Sequence, residues 1–557
     1  MRQGPRRAAQ SLTDAYDLRK REYALHAAAE GRPEREPGGN AAVTNADVIV
    51  VGAGPTGLML AAELRLAGAN VLVLDRREGP GDTPRASGMN GRIVQLLRYR
   101  GLLDGFSEGG RGLVPSPSIP FGGMQLDLGR LPDSPLQALH LPQPRLERLL
   151  DARARDLGAR VLRGRTVTGL TQDETAVTAH VSGPDGTDAI TARYLVGCDG
   201  GWSRVREAAG IAFPGTAYPE VNRLAQVPVP DALTLRDDGG LDVPGLGRLR
   251  AGFTRTDRGV FAFGALSGGD LLVQTTEDES VTDEGDVPMT LDELRASIRR
   301  VLGADLPFDG ATRLSRYRFQ ARLAERYREG RVLLAGDAAH QFPATGIGLN
   351  VGMLDAVNLG WKLAAVVHGR VPDVLLETYH DERRFAGERT MLQTQAQVAL
   401  RRSHDAAGDA LREVFRELCA DEGALRRIAA LVAGTDVRYR LPNPNGHALS
   451  GDFAPDLSLT TGEGTTSVAR LLHTARPVLL LLGEGDDLRE AAYGWRDRVD
   501  VVSATTGQPP ADALLIRPDA HVAWAAALGE PASAAVPALR DALARWFGAP
   551  APDSAAP

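Results

Sequence analysis

Two cysteines in 557 residues, Cys198 and Cys419, are too few for a disulfide framework or a cysteine zinc cluster. Such scarcity suits a reducing cytoplasm, the expected location, and no metal site is expected. An excess of basic charge is also missing: 64 Lys and Arg against 71 Asp and Glu give a net charge of −7, without an arginine and lysine stripe interleaved with aromatics. Nucleic acid is therefore not an expected partner. No apolar run reaches the roughly 20 residues that a membrane-spanning helix needs. The basic N-terminus, "MRQGPRRAAQSLTDAYDLRK", lacks the apolar middle region of a secretory signal, so neither membrane insertion nor export is expected.

What the chain does have is length and glycine. At 557 residues it exceeds what one hydrophobic core usually serves, so two or three domains and a buried ligand are expected. The 63 glycines, with 43% hydrophobic and 24% charged residues, fit an α/β protein with many tight turns and close backbone approaches. Residues 1–44, ending in the Gly-, Pro- and charge-rich "GRPEREPGGNAAVTN" segment, are expected to be a mobile extension.

From Asp47 the sequence reads "DVIVVGAGPTGLMLAAELRLAGANVLVLDRR": a β-branched run, a glycine turn, an alanine- and leucine-rich helix and a second strand ending at Asp75. This order is a βαβ unit. Gly52 permits the tight turn, Gly54 lets a pyrophosphate approach the backbone, and Gly57 lets the helix pack closely on the sheet. Pro55 and Thr56 open the helix, whose unpaired N–H groups and dipole attract phosphate. Asp75, followed by Arg76, is placed to accept hydrogen bonds from ribose hydroxyls, which suits FAD or NAD.

Two later stretches repeat the pattern of an apolar strand ending in Asp-Gly or Gly-Asp. "YLVGCDGGWSRVR" carries Asp199 and Gly200, with Asp199 and Ser203 as candidate turn caps; "RVLLAGDAAHQFPATGIGLN" carries Gly336 and Asp337. Together they imply a ligand reached from several separated parts of the chain. His340 follows at once, and a structural or capping role is expected for it rather than general-base work. No catalytic acid or base is named.

These motifs resemble, in order and spacing, those of the class A flavoprotein monooxygenases typified by p-hydroxybenzoate hydroxylase, and especially the larger aromatic polyketide hydroxylases. The resemblance spans "GAGPTG" at residues 52–57, "PRASGMNGR" at 84–92, "LPQPRLERLL" around Gln143, "CDGGWSRVR" at 198–206 and "GDAAH" with "GLNVGMLDAVNLGWKLA" at 336–364. It implies that Asp337 accepts from the ribityl chain of FAD, that Arg92 and Gln143 contact the ribityl-phosphate region with Arg85 close by, and that the Asp199–Gly200 unit serves both FAD and the nicotinamide donor. The flavin ring would lie beyond the loop carrying Pro343, Gly346, Gly348, Leu349 and Asn350. NADPH or NADH would be a transient co-substrate, since no second Gly-x-Gly-x-x-Gly unit is present. In that loop relatives commonly have two adjacent glycines and one more residue; "PATGIGLN" is expected to be shorter and stiffer, and to alter flavin placement or swing.

The implied activity is an FAD-dependent, NAD(P)H- and O2-using monooxygenase acting through a flavin C4a-hydroperoxide on a polycyclic aromatic, polyketide-like substrate, by hydroxylation. Baeyer–Villiger insertion or epoxidation is the alternative on the same scaffold. A redox-silent flavoprotein with a binding or structural role is the alternative of another class. An ordinary NAD dehydrogenase would explain Gly52 to Asp75 but leave Asp199 and Asp337 without roles. A homodimer is among the admissible assemblies.

The implied architecture is a Rossmann-like FAD-binding domain in two parts, residues 45–220 and 312–400, interrupted by an antiparallel-sheet substrate domain over 221–311. In that substrate domain Phe253, Phe261 and Phe263 alternate along strands, a pattern that more often marks core than cavity. A helical region over 401–445 follows, within a longer helical pattern whose charges read as a solvated face and helix ion pairs. Residues 446–557 form an α/β module that resembles the thioredoxin-like C-terminal domain of the larger hydroxylases, most recognisably at "IRPDAHVAWA". Without a cysteine in this module, a structural or oligomerisation role is expected.

Overall fold

The computed structural model describes residues 46–81, 86, 88–108, 112–237, 239–266, 269–278, 288–343, 346–402, 405–441 and 446–551. The expected extension at 1–44 and Arg85 lie outside the described residues. The chain begins with β1 (Val48–Val51), α1 (Pro55–Leu66) and β2 (Val71–Asp75), then α2 (Arg92–Tyr99), α3 (Gln143–Asp156), β3 (Arg160–Arg163), β4 (Tyr194–Gly197) and α4 (Arg204–Ala208). Every residue of β1, β2 and β4 is buried, as parallel strands covered on both faces require.

The second stretch holds β5 (Gly215–Pro228), β6 (Gly252–Thr256), β7 (Gly259–Ala265), β8 (Asp270–Asp278), α5 (Leu291–Leu302) and β9 (Arg313–Leu323). The chain then returns through β10 (Arg328–Glu329), β11 (Val332–Leu334) and β12 (His340–Gln341) to the helices α6 (Ile347–Val367), α7 (Glu377–Arg402), α8 (Ala406–Leu418) and α9 (Glu422–Ala433). Last come β13 (Val478–Leu481), β14 (Asp500–Ser503), β15 (Ala513–Ile516), β16 (Val522–Ala526) and α10 (Ala532–Phe547).

One six-stranded sheet has the order β10-β11-β4-β1-β2-β3, parallel except for β10. Because β11 joins this sheet from far along the chain, the C-terminal ends of β1, β4 and β11 lie side by side, where ligands bind in doubly wound sheets. A second sheet, β6-β7-β8-β5-β9-β12, is antiparallel throughout. On one of its faces Ala225, Val227, Phe261, Phe263 and Val273 pack against Leu294, Ile298 and Val301 of α5. Phe261 and Phe263 are thus core, whereas Phe253 points to the other face beside Ala262 and is half-exposed. The C-terminal sheet, β14-β13-β15-β16, pairs β13 with β14 in parallel and its other strands antiparallel. Among the described residues no helix is long and apolar enough to cross a membrane.

The long helical region departs from the expected solvated face. Glu382 and Arg383 of α7 and Arg412 of α8 are buried. Glu382 accepts a bidentate pair from Arg517 at 2.7 Å each and a third bond from Lys362 at 2.8 Å, and Arg517 also binds Asp519. Burial alone would raise the Glu382 carboxyl; Arg517 and Lys362 beside it reverse the sign and hold it well below the usual carboxylate range. A second buried bridge joins Arg100, just beyond α2, to Glu63 of α1 at 2.8 Å, and the same guanidinium donates to the Pro518 carbonyl. Hydrophilic side chains therefore tie the C-terminal module to α1, α6 and α7. Removing one member of a buried charge group strands its partners, so Glu382→Ala is expected to destabilise the protein by about 3 kcal/mol or more, read as a lower midpoint in thermal or urea unfolding.

Candidate functional site

The first glycine loop is built by close approach. Gly52 has φ +109°, and a Cβ there would lie 2.3 Å from the Cys198 carbonyl oxygen. At Gly57 a Cβ would lie 1.9 Å from the Gly52 oxygen, whereas nothing stands within 4 Å of one at Gly54. The three positions thus do separate jobs: turn, open approach for a ligand, and helix-to-strand contact. Pro55 occupies the start of α1, where its missing N–H costs nothing.

Asp75, buried at the end of β2, accepts from the Ala53 amide at 2.6 Å and from the Arg77 amide at 2.8 Å. Burial would raise its carboxyl, and the Arg77 bonds bring it to a net value below the usual range, so it stays ionised. Arg77 also reaches Glu147 at 3.2 Å and the Ala53 carbonyl, and Gln143 donates to Glu147 at 2.8 Å. Gln143 is therefore beside the loop. Arg76 is exposed, and the neighbouring Arg77 is the arginine that the strand end turns toward the loop. Sequence reasoning named Arg76 alone; Arg77 carries the bonds to the loop within the chain, and the strand's alternation, with Leu74 and Asp75 both buried, does not carry past its last residue.

At the end of β4, Asp199 accepts from the Ser203 hydroxyl at 2.5 Å and from the Val205 amide, while Ser203 caps α4 by accepting from the Arg206 amide. Gly200 follows at φ +89°, its Cβ direction open. At the end of β11, Gly336 has φ +65°. A Cβ there would lie 2.8 Å from the Thr56 hydroxyl, and one at Gly352 of α6 would lie 2.5 Å from that same oxygen. Thr56 is thus the contact that brings the first loop, the β11 end and α6 together.

Asp337 is exposed, its carboxylate 3.0 Å from where a Cβ on Gly348 would sit, which places it at the first turn of α6. Gly346 caps α6 in the left-handed conformation, φ +82°, with open space in front. Pro343 precedes the loop; Ala344 and Thr345 lie outside the described residues. The helix begins at Ile347, so the β-branched side chain stands in its first turn rather than in the loop. Asn350 donates to the Asn90 side chain at 3.0 Å, leaving its own Oδ1 buried without a partner. An open glycine face, an exposed carboxylate at a helix start and an orphaned amide oxygen fit a dinucleotide with a polar ring edge.

Beneath this cradle sits a wholly buried carboxylate, Asp355 of α6. One oxygen accepts from the Gly336 amide at 3.0 Å and meets His340 Nε2 at 2.7 Å; the other accepts from Arg383 Nε at 2.7 Å. Arg383 continues to the Tyr439 hydroxyl and the Val351 carbonyl. His340 is fully buried in this group, which supports a structural role. Arg92, expected at the ribityl-phosphate region, donates to Gln95 and the Thr435 carbonyl and lies 4.3 Å from the centre of the Phe453 ring. The cause is local, because Gly91 packs directly under Ala433 and turns the start of α2 toward that segment. Burial lowers the Arg92 guanidinium to about 10.

Two outcomes follow from this geometry. Gly57→Val drives a side chain into the Gly52 carbonyl, and the purified variant is expected to lose most of its bound flavin, read as the ratio of 450 nm to 280 nm absorbance. For Asp355, burial would raise the carboxyl, but Arg383 and His340 lower it below 3.8. Its folded value is depressed, so its stabilisation is complete above the unfolded value of about 3.9 and is lost as the pH falls through the folded one. Asp355→Asn is accordingly expected to flatten the acid limb of unfolding below about pH 4, followed by near-ultraviolet circular dichroism.

Comparison with known proteins agrees with this geometry. Residues 45–394 match the FAD binding domain family, and residues 447–550 match the aromatic-ring hydroxylase C-terminal family. The chain is 41% identical over 521 residues to a Streptomyces rimosus enzyme named 12-dehydrotetracycline 5-monooxygenase/anhydrotetracycline 6-monooxygenase, covering 91% of this chain and 99% of that one. It is 38% identical over 505 residues to a Streptomyces rugosporus protein named dialkyldecalin synthase, covering 90% and 98%. The solved structure of the anhydrotetracycline hydroxylase OxyS from Streptomyces rimosus superposes with a TM-score of 0.79 at 40% identity over 91% of this chain and 99% of that one. The chain belongs to the FAD-dependent aromatic-ring hydroxylases of the class A flavoprotein monooxygenases.

Proposed function

We propose that this chain hydroxylates a planar polycyclic aromatic compound of polyketide type, with FAD as cofactor and NAD(P)H and O2 as co-substrates. The observation that carries the reading is the meeting of three strand ends, at Gly52, Asp199 and Gly336, beside an antiparallel sheet with one face left free by α5. Similarity to enzymes named for tetracycline precursors supports the substrate class.

FAD, when bound, supplies hydride acceptance and the activation of O2 toward an electron-rich ring. The chain's own residues bind and orient. Gly54 and the N-terminus of α1 receive the pyrophosphate; Asp75 takes the adenosine ribose, steadied by Arg77 and Glu147; Asp337 takes the ribityl hydroxyls. Pro343, Gly346, Gly348, Leu349 and Asn350 border the ring, with the orphaned Asn350 oxygen as acceptor for a ring N–H. Asp199 and Gly200 are assigned to the side shared with the nicotinamide donor. The antiparallel sheet is assigned to substrate, and the C-terminal module, whose mixed sheet supports a thioredoxin-like arrangement, to a structural role.

A second reading, a non-oxidative transformation in the same cleft, is favoured by the likeness to a protein named as a synthase. The test separates them. Purified FAD-loaded protein is incubated with NADPH or NADH and a panel of polycyclic phenols under 18O2. Substrate-stimulated NAD(P)H oxidation and one labelled oxygen in the product are expected. A transformed product without label, and without NAD(P)H consumption, supports the second reading.

A further inference from the structure

The antiparallel sheet turns its core face to α5, and strand alternation fixes what the opposite face carries. Register sets Tyr317 of β9 against Asn222 of β5, and Asn222 against Thr276 of β8, in one row. Gln274 Nε2 donates to Asn222 Oδ1 at 3.1 Å and the Thr276 hydroxyl donates to the same oxygen at 2.9 Å. Both donors meet Oδ1, which leaves Nδ2 as the open end of the amide. Asn222 is wholly buried, and Nδ2 has no partner.

The Tyr317 hydroxyl is likewise buried without a partner. Burial pushes it up to about 12 against the opposing pull of Arg401 and Arg313, so it stays a protonated donor at neutral pH. A buried donor left unmet costs about 1–3 kcal/mol, and two in one row are costlier still. Cations stand nearby: Arg401 of α7 lies 4.7 Å from the centre of the Phe319 ring, and the carboxylate of Glu220 is paired with Arg402. At its far end β9 pairs with β12, which is followed by Phe342 and Pro343.

We propose that Asn222 and Tyr317 form a two-donor clamp for one acceptor oxygen on the substrate ring, a quinone-type carbonyl or a phenolate, held in a positive environment by Arg401. Gln274 and Thr276 are positioning residues that orient the amide. The proposal rests on the hydroxylase reading above for the identity of the ligand as a polycyclic aromatic.

Two soluble probes with the same ring system and the same charge separate the oxygen contact from ring burial: anthraquinone-2-sulfonate and anthracene-2-sulfonate. Their dissociation constants are measured on the FAD-loaded enzyme by the change in flavin absorbance. Tyr317→Phe and Asn222→Leu are each expected to weaken the quinone about tenfold, the effect of one lost hydrogen bond, and to shift the anthracene by less than about twofold. Gln274→Met, which frees the amide to rotate, is expected to weaken the quinone as well, with wild-type flavin content showing that the fold is intact. Unchanged quinone affinity in Tyr317→Phe, or an equal loss for both probes, overturns the clamp. Failure of the wild type to bind the quinone overturns the ligand class. Retained oxygen transfer with variants indistinguishable from wild type sinks the clamp alone, whereas quinone binding without any oxygen transfer sinks the hydroxylase reading and leaves the clamp standing.

Discussion

The buried carboxylate of Asp355 is the constraint on which the rest of the site depends. Lodged inside α6 with no exposed surface, it holds the Gly336 amide, the His340 ring and the Arg383 guanidinium at once. Each bond joins a different element: the end of β11, the entry to β12 and the helix α7. An ionised group in such a place is costly to desolvate, and only a full set of donors makes it tolerable. In return, the strand end that carries Asp337 is tied to the helix α6, whose first turn it faces.

From that node the polar interior spreads outward. Arg383 passes to Tyr439, and the adjacent Glu382 receives Arg517 and Lys362, so one turn of α7 faces both the cofactor cradle and the C-terminal module. The C-terminal module is joined to the rest of the chain by the same network. It carries Arg517 and Asp519 into a closed charge group, and the Pro518 carbonyl into the Arg100–Glu63 bridge that reaches α1. The cradle is braced from behind, while its open side meets the free face of the antiparallel sheet.

Much of this was legible in the sequence. The βαβ unit announced itself because Gly52, Gly54, Gly57 and Asp75 obey separate steric and hydrogen-bonding demands at fixed spacing, and the strand ends at Asp199 and Gly336 repeat that logic. What failed to show were side chains whose role depends on burial. Asp355, Glu382 and Lys362 look like ordinary helix charges; periodicity carries no sign that Gly336, His340, Arg383 and Arg517 close in on them from other elements. Arg92 sat inside a motif rich in phosphate-binding residues, but the packing of Gly91 under Ala433, invisible in one dimension, turned it to Phe453. Asn222 is one of several polar residues in its strand, and only register with Tyr317 and Thr276 gives it meaning.

The most direct test of the account is a crystal structure of the protein with FAD and a polycyclic quinone bound. The expected result has the ribityl chain against Asp337, the ring edge at Asn350, and the quinone on the sheet face that carries Asn222. A flavin seated away from the β1, β4 and β11 ends, or an aromatic ligand bound outside that face, contradicts it.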